Sequence, residues 1–163
     1  ALRAPVESVV STVPLGDGHA GVSAEAFALV GDAHLWRGDL APEDYSVEPP
    51  DRRPATREYA GERLARVVCA DRTMLGDVDI DRIAAAVADA QVDRIASAIG
   101  RVRARHPELG RAVITGVGDF LARRAAERSG LEVIHLATWL GPDAARTAPA
   151  AAVALLCQSS LGD

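Results

Sequence analysis

Apolar positions along this chain change their spacing from segment to segment, and those changes mark the elements. Ala112 to Thr115 is a continuous apolar and β-branched run, which predicts a short buried strand. Gly116-Val117-Gly118 follows as a turn. Phe120, Leu121 and Ala125 then give the next helix an apolar face, Ser129-Gly130 supplies its C-cap, and Leu131 to Leu136 resumes a strand. The longest periodic stretch is capped by Asp77 or Asp79 and ends before Pro107. Along it Ile80, Ile83, Val87, Val92, Ile95, Ile99 and Val102 share one stripe, while Asp81, Arg82, Asp89, Asp93 and Arg94 fall opposite.

The flanking segments are shorter. Val6 to Leu15 reads as a strand or strand–turn, Ser23 as the cap of a short helix through Val30, and Gly31 to Trp36 as extended chain. Thr56 caps a helix running to about Cys69. Gly141-Pro142 begins a turn or short helix, Pro149 opens an alanine-rich helix to about Cys157, and residues 159–163 read as a tail. Residues 38–55 carry four of the nine prolines and a series of carboxylates, so they are expected to form an acidic surface loop. Strands alternating with helices predict an α/β fold, with a mixed sheet flanked by helices in a single domain over residues 1–158.

Composition narrows the function. The net charge is −5 and no lysine occurs, which argues against a nucleic-acid or anionic-membrane surface. No apolar run reaches the roughly 18–20 residues of a membrane span. Cys69 and Cys157 are too few for a disulfide framework or a zinc site. Each lies in an apolar run, so both are expected to be small buried hydrophobes in a reducing cytoplasm.

Three places carry candidate chemistry. Gly31-Asp32-Ala33-His34 repeats the Gly-Asp-x-His pattern of Gly16-Asp17-Gly18-His19. In extended chain, residues two apart share a face, so Asp32 with His34 would make a divalent-metal or acid–base pair. Polar turns account for the same pattern. Asp71, after the Thr56 helix, offers a carboxylate to a metal or a substrate hydroxyl, or is a plain loop residue. Gly116, Gly118 and Asp119 stand where a strand feeds a helix N-terminus, a place where backbone N–H groups receive phosphates. A dinucleotide fingerprint would need a third glycine where Leu121 stands, and the P-loop pattern is absent. Asp77, Asp79 and Asp81 do not form a calcium loop, because Arg82 and Ala88 occupy the positions of its glycine and glutamate.

Four segments occur in a recognisable order: Leu64-Ala-Arg-Val-Val-Cys-Ala-Asp71, Gly76-Asp77-Val-Asp79-Ile80-Asp81, Val113-Ile-Thr-Gly-Val-Gly118, and Leu140-Gly-Pro142 with the apolar run Ala148 to Leu156. The series resembles the C-terminal half of the hydantoinase/oxoprolinase-like family, in its branch linked to one-carbon transfer and methanofuran biosynthesis. The resemblance implies one lobe of an actin-like ATPase fold. It also implies a transferase that joins a diphosphate-activated furanylmethyl unit to a phenol, with Mg2+ at the leaving group. An ATP-dependent oxoprolinase-like amidase or a small-molecule kinase is the alternative within the fold, and a non-catalytic interaction domain is the alternative outside it.

On the resemblance, Asp71 and His34 are catalytic candidates, and Gly116, Gly118, Asp119 and Arg53 are candidates for the diphosphate. Arg52 and Arg57 are further cations for it, although Glu43, Asp44, Glu48 and Asp51 are placed to neutralise all three arginines. The two glycine-rich phosphate loops of the family do not occur in this sequence. The chain is therefore expected to be the back half of an enzyme, inactive alone, which pairs with an N-terminal half or with copies of itself.

Overall fold

Val30, Gly31, Asp32, Ala33, His34, Leu35 and Trp36 are all buried, and together they make the first helix, α1 (Val30–Arg37). Gly38, at a φ of 77°, ends it in the left-handed conformation that glycine adopts without strain. The computed structural model describes residues 2–161. It divides into two compact units, Ala1–Gln91 and Val92–Asp163.

In the first unit a short 3-10 turn, Val6–Ser8, precedes an antiparallel hairpin of β1 (Thr12–Leu15) and β2 (Gly18–Gly21). Gly16, at φ +55°, makes its tight turn, so Gly16-Asp17-Gly18-His19 is a polar hairpin turn. The helix expected from Ser23 is absent. The chain there stays irregular until Leu29, and the segment expected to be extended is α1 instead. Residues 38–55 are irregular apart from a 3-10 turn at Pro42–Asp44.

Helix α2 (Arg57–Arg66) starts as expected at Thr56, whose side chain accepts from the Tyr59 N–H, and it packs on α1. The helix interface is close at one point. A Cβ on Gly61 would lie 2.5 Å from Cζ3 of Trp36, so only glycine lets the indole lie against α2. Helix α3 (Asp77–Arg103) begins at Gly76, whose N–H donates to the Asp79 carboxylate at 3.2 Å. Its first apolar positions, Ile80, Ile83 and Val87, are fully buried with Val6, Val13, Val30 and Leu64 in one cluster. At its far end Ile95 and Ile99 are half-buried and Val102 is exposed.

The second unit is built on a βαβ crossover. Strand β3 (Arg111–Ile114) pairs in parallel with β4 (Glu132–His135), Arg111 opposite Glu132, and α4 (Asp119–Arg128) connects them and packs on both. Ala112 and Ile114 turn inward while Arg111 and Val113 stay exposed. Two short helices, α5 (Ala137–Leu140) and α6 (Pro142–Arg146), lead to α7 (Ala148–Leu161). Ser159 to Leu161, expected as tail, continue this helix, and the rest of the tail lies outside the described residues.

Among the described residues the strands thus form two separate two-stranded sheets, one antiparallel and one parallel, in place of the single mixed sheet expected. Both cysteines are exposed, against the expectation of burial. Cys69 sits just past α2 at φ +58°, in a turn that carries its side chain outward, and Cys157 lies on the open side of α7. Among the described residues no helix is long and apolar enough to cross a membrane.

Candidate functional site

Because residues 31–34 are helical, Asp32 and His34 stand about 200° apart around α1 instead of on one face. Each has its own set of partners. Asp32 accepts from Arg63 Nε at 3.0 Å and Nη2 at 2.7 Å, from the Tyr45 hydroxyl at 3.0 Å and from the Leu29 N–H at 2.8 Å. His34 lies with Nδ1 3.2 Å from Asp39 and Nε2 2.9 Å from Gln91 Oε1. Asp32, His34 and Arg63 are fully buried, so none presents an atom to solvent. These residues do not fit a shared divalent cation, and among the described residues no group of three His, Cys, Asp or Glu side chains is placed to hold one.

The electrostatics of this cluster follow from burial and pairing. Burial holds the Asp32 carboxyl above its ordinary value, against the pull of Arg63. Burial works against the Arg63 charge too, but Asp32 and then Asp51 outweigh it and keep the guanidinium raised. The Tyr45 phenol is pushed up by burial and by the Asp32 charge, so it remains a donor. Asp39 is partly buried, yet hydrogen bonds from Arg37 and His34 prevail and hold it below the usual carboxylate range. Asp51 shows the same balance, with Arg53 and Arg63 prevailing over burial.

Arg53 is occupied within the fold. Its Nε donates to Asp51 at 2.9 Å, its Nη1 meets Glu62 at 2.5 Å, and its guanidinium stacks 4.5 Å from the Tyr59 ring centroid. Arg52 is exposed near Glu48, and Arg57 lies over Trp36. Asp71 is exposed at the turn after α2. One of its oxygens accepts from Thr73 N–H at 2.8 Å, Thr73 Oγ1 at 2.6 Å and Met74 N–H at 3.1 Å. These bonds, first that of the Thr73 hydroxyl, lower its pKa, so the carboxylate is a weak base and a turn-forming acceptor.

In the second unit, Gly116, Gly118 and Asp119 form the junction between β3 and α4. Gly116 is at φ +90° and its carbonyl accepts from the Asp119 N–H at 3.1 Å, while Gly118 caps α4. Open space surrounds both glycines, for a Cβ on either would meet nothing within 4 Å. Thr115 Oγ1 donates to the Ala145 carbonyl at 2.5 Å and fixes the strand end. Among the described residues the N–H groups of Val117 and Gly118 have no acceptor, so the turn presents two donors beside a helix N-terminus. Asp119 adds a carboxylate that suits the helix dipole and opposes an anion at the same spot.

The structure thus gathers Asp32, His34, Arg53 and Asp71 into the first unit, mostly as partners of other residues, and leaves the glycine turn open in the second. Sequence reasoning missed Tyr45, Arg63 and Gln91 as partners. It also missed a cleft of about 460 Å3 lined by Trp36, Arg57, Glu58, Glu62, Arg72 and Asp77. Its only sequence signal is the run of arginines around residue 57.

Comparison with known proteins adds the family. A model described as hydantoinase/oxoprolinase matches residues 6–159. A protein of Methanocaldococcus jannaschii is 29% identical over 160 residues, covering 98% of this chain and 48% of its own length. A protein of Methanococcus vannielii is 26% identical over 164 residues, covering 98% of this chain and 73% of its own length. Both are named (4-{4-[2-(gamma-L-glutamylamino)ethyl]phenoxymethyl}furan-2-yl)methanamine synthase. The chain therefore spans about half of the first relative and about three quarters of the second.

Proposed function

The chain belongs to the hydantoinase/oxoprolinase family, and from that membership we propose that it is part of a cofactor-biosynthesis transferase built on an actin-like lobe. The observation that carries the reading is that both relatives bearing the synthase name align with almost the whole chain. That name describes a phenoxymethyl link between a phenol ring and a furan. The proposed step makes this link: a phenol oxygen attacks a furanylmethyl carbon, the new C–O bond forms as the bond to diphosphate breaks, and the phenol proton passes to solvent or a nearby base.

The open turn at Gly116–Asp119 supports this reading, since its two unengaged N–H groups suit a diphosphate oxygen. Asp71, exposed and ionised, suits an accepted hydrogen bond from the phenol better than a full proton transfer. His34 and Asp32 take no part in this step, because their atoms are sealed inside the first unit.

The test incubates the complete enzyme of which this chain is a part with a furanylmethyl diphosphate and a tyramine derivative, with and without Mg2+ and ATP, and follows the ether by mass spectrometry. Ether and diphosphate in equal amounts support the reading, and Gly118→Val should abolish the signal. Hydrolysis of ATP with no ether would favour the amidase or kinase alternative.

A second reading, a non-catalytic interaction domain, is favoured by the exposed Val113, Trp139, Leu155 and Leu156 of the second unit. Light scattering tests it, and a monomer at all concentrations would count against it.

A further inference from the structure

Arg57 and Arg72 approach the indole of Trp36 inside the cleft of the first unit, their guanidinium carbons 3.7 and 5.3 Å from a ring centroid. Neither is loose. Arg57 Nε donates to the Trp36 carbonyl at 3.0 Å, and Arg72 Nη1 donates to the Leu75 carbonyl at 3.1 Å. The indole is itself fixed, by its N–H to Asp81 at 2.7 Å and by Gly61 against its edge. Guanidiniums held this way have less freedom left to lose when a ligand arrives.

Their charges are only partly answered. The two share one carboxylate, Asp77, which pairs with Arg72 and lies 4.0 Å from Arg57. Glu62 is committed to Arg53. Glu58 lines the same cleft and has no ion pair among the described residues. A small-molecule-sized hollow is thus lined by two anchored cations and by Glu58, a carboxylate in the first turn of α2 with no cationic side chain beside it among the described residues.

We propose that this cleft binds a small zwitterion, the free amino and carboxylate groups of an α-amino acid. The carboxylate lies across Arg57 and Arg72, whose planar forks match it, and the ammonium meets Glu58. An oxyanion without an amine would set its charge against Glu58, and an amine without a carboxylate would leave unused the two planar forks that line the cleft with it. The site goes beyond the transferase reading and stands without it.

Trp36 and Trp139 are the only tryptophans, so Trp139→Phe, at an exposed position, leaves Trp36 as the sole indole emitter. This variant is titrated with L-glutamine, N-acetyl-L-glutamine and inorganic diphosphate at constant ionic strength. L-Glutamine is expected to give a saturable change in emission. The N-acetyl form should bind at least about tenfold more weakly, a difference of about 1.4 kcal/mol, and diphosphate should give no saturable change. Adding Glu58→Gln, at an exposed position that leaves the fold intact, should erase the preference for the free amine. Adding Arg72→Gln should weaken both amino acids, with circular dichroism showing that the variant is folded. No saturable change with L-glutamine, equal binding of its N-acetyl form, or a response to diphosphate alone would overturn the proposal.

Discussion

The first unit seals its apolar side chains, whereas the second leaves many of them open. Val6, Val13, Val30, Leu64, Ile80, Ile83 and Val87 have no exposed surface. Of the ten exposed large hydrophobic side chains among the described residues, eight belong to the second unit, including Val113, Trp139 and Leu156. The secondary structure differs in the same sense. An antiparallel hairpin tolerates a wet face, but parallel strands usually have both faces covered, and β3 with β4 keeps Val113 in solvent. The first unit also buries charge, which costs free energy unless every partner is in place. Its stability therefore rests on a complete network, and that of the second on fewer side chains around Ile114, Leu121 and Ala125.

Breaking that network should give the largest effect. Arg63→Ala leaves Asp32 buried with no cation beside it, and is expected to destabilise the first unit by about 3–5 kcal/mol in urea unfolding. A cost near zero would mean that the network is looser than its geometry. The next pair sharpens the comparison directly. Leu64→Ala and Leu121→Ala both remove a buried leucine, within the roughly 2–5 kcal/mol range of such changes. The first should fall near the top of that range and the second near the bottom, because the second unit buries few large side chains besides Leu121 and Ile114, which leaves the site freer to collapse.

Gly61→Ala presses a methyl onto the Trp36 ring and should cost about 1–3 kcal/mol, read as a fall in melting temperature. The pH dependence is smaller. Asp39 has a depressed folded pKa, so its contribution is fully present above about pH 4 and is lost as pH falls through the folded value. Asp39→Asn should flatten the acid limb of a melting-temperature profile, and an unchanged limb would refute the pairing with His34 and Arg37. Leu156→Ser, on the open side of α7, should change stability by no more than about 0.5 kcal/mol.

Helices and strands with one wet face were legible in the sequence. The Thr56 cap, the α3 stripe from Ile80 to Val92 and the β3–α4–β4 crossover stand where periodicity and capping residues put them. Helix α1 was not legible, because it is buried on all sides and its polar members, Asp32 and His34, point inward. A helix with no wet face has no amphipathic period to read. The same two residues suggested a metal pair because they are two positions apart, a spacing that means adjacency in a strand and separation in a helix. The Asp32–Arg63 bond spans 31 positions and leaves no local trace. The glycine turn was legible because a glycine at positive φ between a strand and a helix leaves a mark in composition itself.

The two thiols have a practical consequence. Cys69 lies in one unit and Cys157 in the other, both accessible and unbridged. Maleimide dyes would react at these two positions without any engineered residue, and a donor–acceptor pair placed there reads the spacing between the units by energy transfer. The chain carries its own attachment points for a molecular ruler. Because it contains no lysine, maleimides would find no side-chain amine to compete with the two thiols.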